Sequence, residues 1–384
     1  MGVHKLMNLI NEKAEKAVTD IYLSSFVSEM KDKMNPPPAK AGEDHKEAHN
    51  PEISPNVVID GVVFLYSTIL RVYKQKMKIF SKAEIEEVEE AEEVKEEYKK
   101  LIQHDILNRL IEFIENGLSI VFVFDVSSSF STNDLVMIKK AGCTFDRLKM
   151  AEVIPQDLYN DTKKIISILG GEVVEVNGNI HYECSKLSKK YKSLAVVSED
   201  LAFLIFETPA IIRYIDAEKG FIRLIQTEEM LKSFNINQEQ FSDLCILLGC
   251  DYSKTFELLH TAKALDYVQK YKDIEYIISH FESEYKDVGD MKMLKYLDEY
   301  EYLDARKKIN AIDAEDFKFA IKKTTFPQFE QPDLEVAFDL IVGNKEDGFK
   351  YFAPQNSNYT EKLLNRLKED GAKLIQKKLQ FLAL

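Results

Sequence analysis

The chain has 384 residues, 45% of them hydrophobic, and 51 Lys+Arg against 65 Asp+Glu give a formal net charge of −14. Such a chain can bury a substantial core without disulfides or structural metals, and collagen-like and disordered classes are excluded for its bulk. No stretch approaches the ~18 consecutive apolar residues of a membrane span.

The opening Met1-Gly2-Val3-His4-Lys5-Leu6 starts like a myristoylation signal, but Leu6 stands where that signal needs Ser or Thr. It has no basic segment followed by an apolar run, so an intracellular home, nuclear or cytoplasmic, is expected rather than secretion. Asn35-Pro36-Pro37-Pro38 opens a polar stretch reaching Pro55, which reads as a long loop over 30–55. Val57-Val58-Ile59-Asp60 is then an apolar run closed by a carboxylate. Nine glutamates fall between Glu84 and Glu97, with Ile85, Val88, Ala91 and Val94 at every third place. That spacing predicts a helix over 84–97 with a narrow apolar stripe and a solvated acidic face.

A helix follows from about Leu101 to Asn116 and stops at Gly117. Ser119-Ile120-Val121-Phe122-Val123-Phe124-Asp125 repeats the strand-and-carboxylate device, and Ser193-Leu194-Ala195-Val196-Val197-Ser198-Glu199-Asp200 repeats it again. β-Branched runs alternating with amphipathic helices predict an α/β fold with a mostly parallel central sheet flanked by helices. Ligands of such sheets bind at the carboxyl ends of the strands, where Asp60, Asp125 and Asp200 would converge. Gathered carboxylates repel unless a divalent cation such as Mg2+ lies between them, and two-metal phosphodiester hydrolysis uses such a cluster. An aspartate at a strand end serves equally well as a helix cap, and both readings stay open at this point. Cys143, Cys184, Cys245 and Cys250 form no CxxC pair and read as small reduced thiols.

The segment Asn237-Gln238-Glu239-Gln240-Phe241-Ser242-Asp243-Leu244-Cys245-Ile246-Leu247-Leu248-Gly249-Cys250-Asp251-Tyr252 is where a family likeness emerges. Together with Met1-Gly2, the Asp60 strand, Phe124-Asp125, Leu169-Gly170 and Ser198-Glu199-Asp200, it resembles the flap endonuclease family of structure-specific 5′-nucleases over nearly the whole chain. The resemblance implies a PIN-like 5′-nuclease core over 1–330 and a C-terminal helical extension over 331–384. Relative to the family, 30–55 and 84–97 are insertions, 126–165 is a shortened arch region, and 237–270 is a degenerate helix-hairpin-helix region.

By the same resemblance, seven acidic residues hold two metal ions. Four are matched by Asp60, Asp125, Asp200 and Asp251, whereas the other three places hold Asn179, His181 and Ala202. Glu183 and Glu199 stand nearby but on differently directed positions. Losing three anionic ligands should sharply lower affinity for Mg2+, with Mn2+ an alternative if any cofactor remains, and His181 would favour a softer ion. Tyr66 falls on the family tyrosine that stacks on a base, and Lys139, beside Lys140, on a gateway residue that is catalytic only if cleavage survives. The second gateway lysine is Thr132, two hairpin glycines are Leu258 and His260, and Lys263 keeps a basic charge beyond them. Gly2, Tyr66, Lys139, Lys140 and Lys263 are thus the nucleic-acid positions that the resemblance offers.

The expected function is a flap-endonuclease-like protein that binds nucleic acid, without catalysis, as a binding or assembly factor. Its target would be structured RNA, a ribosome-sized assembly included, or DNA. The alternatives are an active, metal-dependent 5′-flap endonuclease of DNA replication or repair, and a protein-interaction scaffold. Protein partners would use the 30–55 loop and the acidic 84–97 segment, with no membrane. Sliding-clamp binding is not expected, because Gln376-Lys377-Lys378-Leu379-Gln380-Phe381-Leu382 lacks the aromatic pair after Leu379.

Overall fold

The computed structural model describes residues 3, 5–34, 55–79, 92–125, 156–176, 179–217 and 219–310. Gly2, Thr132, Lys139, Lys140, most of the 30–55 loop, the first half of the acidic run, residues 126–155 of the arch region and the 331–384 extension lie outside them. The chain divides into two compact units, one of 1–64, 123–127 and 175–322, the other of 65–122, 128–174 and 323–384.

In the first unit β2 (Asn56–Asp60) is buried at every position, as is β5 (Ala195–Val197). They pair in parallel, Val57 to Ala195 and Ile59 to Val197, and β5 pairs in parallel with β6 (Ala210–Asp216). Continuous β-branched runs suit strands covered on both faces, which is why these segments carry no polar alternation. The edge is antiparallel instead: β6 turns into β7 (Phe221–Gln226), and β7 pairs with β1 (Val18–Tyr22). With β3 (Ser119–Asp125) and β4 (Glu172–Val176), the strand order is β1-β7-β6-β5-β2-β3-β4, a mixed sheet of seven strands.

Helices α1 (Leu6–Lys13) and α2 (Leu23–Met34) flank β1, while α3 (Gly61–Ile79) starts directly from β2. A Cβ on Gly61 would overlap the Phe124 ring, so only glycine lets β2 turn into α3 this close to β3. Farther along, α6 (Ile180–Tyr191) and a 3₁₀ turn (Leu201–Phe206) border β5. After β7 the chain is helical: α7 (Thr227–Phe234), α8 (Gln238–Leu248), α9 (Thr261–Tyr271), α10 (Ile274–Val288), α11 (Met291–Asp298) and α12 (Tyr302–Asn310). Helix α8 opens with a reciprocal cap, Asn237 Oδ1 accepting from Gln240 N–H at 2.8 Å and Gln240 Oε1 from Asn237 N–H at 3.0 Å. Arg306 of α12 bonds both oxygens of buried Asp243 on α8, at 2.6 and 2.7 Å.

In the second unit, α4 (Glu92–Glu115) packs on α5 (Gln156–Ile168), with Lys99 2.8 Å from Asp161. Arg109 of α4 donates to buried Thr68 of α3 at 2.7 Å. No helix among the described residues is long and apolar enough to cross a membrane.

Candidate functional site

Asp60 ends β2 and is 1% exposed. Its Oδ1 accepts from Val63 N–H at 3.1 Å, capping α3, and its Oδ2 accepts from the Ser198 hydroxyl at 3.0 Å. Burial raises the Asp60 carboxyl to about 6, against the pull of the Val63 N–H and the His181 charge. Ser198, just past β5, also takes a hydrogen bond at its Oγ from Asp200 N–H at 3.1 Å, so one hydroxyl ties the two strand ends together.

Asp200 is likewise 1% exposed and caps the 3₁₀ turn, Oδ1 accepting from Ala202 N–H at 2.9 Å. Its Oδ2 lies 2.9 Å from His181 Nε2. Burial alone would raise this carboxyl, but the His181 charge and hydrogen bond, with the Ala202 N–H, bring it below the usual value. His181 shows the mirror image: burial disfavours its charged form, yet Asp200, then Asp251 and Asp60, lift it to about 9. The ring is held by an edge contact with Phe203 at 4.9 Å and lies parallel to Phe206 at 6.2 Å.

Asn179 is the N-cap of α6, accepting from Tyr182 N–H at 3.2 Å and donating to the Tyr252 hydroxyl. Ala202 is fully buried. Gly249 ends α8 at φ 86°, and a Cβ there would meet Thr255 Oγ1 at 2.5 Å, so the turn presenting Asp251 and Tyr252 is built on glycine. Asp251 is exposed, and ligand atoms of His181, Asp200 and Asp251 lie within 4.8 Å of one another.

The structure thus gathers Asp60, Asp200, Asp251, Asn179, His181 and Ala202. Asp125 ends β3, and its side chain lies outside the described residues. Tyr66 is 8% exposed on α3, and Lys263 is exposed on α9. Glu183 is buried on α6 with an unpartnered Oε2, and Glu199 is exposed past β5. Phe203 and Phe206 have no signal in the sequence, whereas Ser198 and Tyr252 stand in the motifs beside Asp200 and Asp251 without a role of their own there.

Among the described residues, Asp60, Asp200 and Asp251 are the carboxylates of this cluster, and His181 stands beside Asp200 and Asp251. Each oxygen of Asp60 and Asp200 accepts one hydrogen bond and keeps a second lone pair, whereas His181 in its protonated form offers none to a cation. Among the described residues, His181 brings positive charge into direct contact with Asp200.

Residues 178–251 match the XPG I-region family. Flap endonuclease 1 of Tetrahymena thermophila is 27% identical over 285 residues, covering 70% of this chain and 72% of the relative. Flap endonuclease 1-2 of Paramecium tetraurelia is 28% identical over 193 residues, covering 46% of this chain and 50% of the relative, so the match spans half of that protein's length. The fold is similar to the catalytic core of Rad2 in complex with DNA substrate, with a TM-score of 0.55 at 14% identity over 91% of this chain and 97% of that one. It is similar also to human GEN1 in complex with Holliday junction DNA, with a TM-score of 0.55 at 11% identity over 89% of this chain and 73% of that one. The order of strands and helices, the strand-end aspartates and these matches agree in direction: the chain carries an XPG I-region over residues 178–251, is similar to flap endonucleases, and has the fold of the Rad2 catalytic core.

Proposed function

We propose that this chain binds nucleic acid through a 5′-nuclease fold and does not cleave it. The observation that carries this reading is the buried His181–Asp200 pair at 2.9 Å. A fixed imidazolium offsets the carboxylates that a family nuclease would neutralise with divalent ions, and it cannot polarise a phosphodiester or supply a metal-bound nucleophile. It also accounts for aspartates remaining where three ligand places are lost, because Asp60 and Asp200 cap helical turns and Asp200 pairs with His181. DNA as a target is supported by the Rad2 and GEN1 complexes; structured RNA, up to a ribosome-sized assembly, is the other target class.

A second reading has one observation behind it: the His181, Asp200 and Asp251 ligand atoms lie within 4.8 Å, a spacing a softer ion such as Mn2+ accepts once the ring is deprotonated. Cleavage of 5′-flap DNA and a matching RNA, in Mg2+ and then Mn2+, decides between the two. Binding without cutting is the expected result. Cutting that vanishes in Asp60→Ala would overturn it in favour of the divergent nuclease.

A further inference from the structure

Arg213 lies one residue beyond Ile212, whose carbonyl accepts from Ser198 N–H at 3.1 Å, so it stands level with the Ser198-Glu199-Asp200 end of β5. It is also the irregular residue of β6. The register with β7 runs Ile212 to Leu224 and then Tyr214 to Arg223, leaving Arg213 without an opposite number. Such a bulge re-aims a side chain, and bulges concentrate beside functional sites.

The guanidinium so aimed has no protein partner among the described residues. Its Nε is buried without a hydrogen bond, its terminal amino groups reach solvent, and it forms no ion pair. Asp200 attracts it through space but bonds to Ala202 N–H and His181 and forms no ion pair with it. Glu199 attracts Arg213 through space but remains exposed and unbonded to it. Burial depresses the Arg213 pKa, with Glu199 opposing, so the group is desolvated without being matched. A planar fork with several free N–H donors suits a bidentate oxyanion, phosphate above all.

We infer that Arg213 is a phosphodiester-binding residue at the carboxyl edge of the sheet. This rests on the nucleic-acid reading above and deepens it. On that reading, a backbone phosphate approaching exposed Asp251, with Asp60 and Asp200 buried behind it, is repelled, and a cation beside the edge offsets that repulsion. Arg213, re-aimed by the bulge and with its buried Nε unpartnered, is a cation placed beside this edge.

The test is fluorescence anisotropy with labelled 5′-flap DNA and an RNA of the same sequence, in EDTA, across 50–200 mM KCl. Wild type, Arg213→Lys and Arg213→Gln are compared, each with its melting temperature. Arg213→Gln is expected to weaken binding about tenfold and to lower the slope of log K against log salt by about 1. Arg213→Lys should keep the slope and lose about threefold through loss of the fork. Unchanged affinity and slope in a folded Arg213→Gln would overturn the assignment while leaving nucleic-acid binding standing. Failure of the wild type to bind either probe in a salt-sensitive way would sink the functional reading and the inference together. If Arg213→Gln does not fold, 15N-arginine spectra of the wild type replace it, the Arg213 Nε–H peak being identified by its loss in Arg213→Lys. That peak is expected to move on adding thymidylyl dinucleotide carrying a 5′-phosphate, and a stationary peak during binding overturns the assignment.

Discussion

His181 Nε2 and Asp200 Oδ2 lie 2.9 Å apart with side chains 13% and 2% exposed, joining the start of α6 to the end of β5. Each partner holds the other ionised against burial, so neither charge is dispensable while the other remains.

Restoring a carboxylate at this position should therefore create a metal dependence. His181→Glu removes the cation and adds a fourth acidic group beside Asp60, Asp200 and Asp251, which destabilises the metal-free protein by about 3 kcal/mol. Millimolar Mn2+ should recover much of the lost melting temperature in the variant and move the wild type little, by mass action on the folded state. Equal Mn2+ shifts in both proteins would contradict the replacement of metal by imidazolium.

Stability should fall on the alkaline side of neutrality. The folded-state value for His181, about 9, exceeds the value of 6.5 for an ordinary histidine, so the folded protein holds this proton more tightly. Its contribution is complete below about 6.5 and is lost as pH rises through 9, on the order of 2 kcal/mol. Asp60, raised from 3.8 to about 6, acts in the same direction between those values, favouring the fold more at the lower pH. Urea midpoints at pH 6.5 and 9.5 check the alkaline limb, and subtracting the His181→Gln profile removes titration of lysines and tyrosines. A parallel decline in both proteins would show that the pair is not its source.

Gly249→Ala should cost about 2 kcal/mol, because φ of 86° is strained for alanine and the new methyl meets Thr255. The damage should extend to the neighbouring turn, so nucleic-acid binding should weaken along with the melting temperature. Gly289→Ala is the comparison: φ is 69°, but nothing lies within 4 Å of the added Cβ, and the loss should be smaller.

Arg306→Met strands the Asp243 carboxylate, which is 5% exposed and also accepts from Ile274 N–H at 3.1 Å. A loss of about 3 kcal/mol is expected. Adding Asp243→Asn should return part of it, since the amide oxygen still serves Ile274 without a buried charge. A double-mutant cycle by chemical denaturation measures this coupling, and additive losses would argue against it.

Much of the sheet could be read in advance, because β2, β3 and β5 are apolar runs closed by aspartate and the stop at Gly117 is real, with φ of 74°. The mostly parallel expectation holds at the centre, in β2, β5 and β6, whereas the edge strands β7 and β1 are antiparallel. Strand β1 escaped notice because its Val-Thr-Asp-Ile-Tyr run is half exposed and is defined by pairing with a segment about two hundred residues away. Helix α4 begins at Glu92, earlier than the apolar pattern from Leu101 indicated. In the site, the four aspartates and the three replaced positions come from the family resemblance, and the spacing of apolar runs alone points to Asp60, Asp125 and Asp200. The role of His181 comes from neither: a histidine in place of an acid reads equally as a tolerated change or a softer ligand until Asp200, on another element, is seen to face it. Arg213 is silent for the same reason, since a bulge is a property of two strands together.

The pairing of β1 with β7 also shapes how the molecule comes into being. Asp20 and Arg223 bond side by side at 2.7 Å although they are 203 positions apart, and the Tyr22 ring lies tilted against Phe221 with centroids 3.9 Å apart. During synthesis the amino-terminal strand emerges with no mate and waits through some two hundred residues of translation before its ladder can form. Its exposed Thr19 and Asp20 make that wait safer, since a polar, charged ribbon recruits fewer stray strands than an apolar one. Among the described strands, the earliest in this sequence therefore closes a border of the sheet with one of the latest.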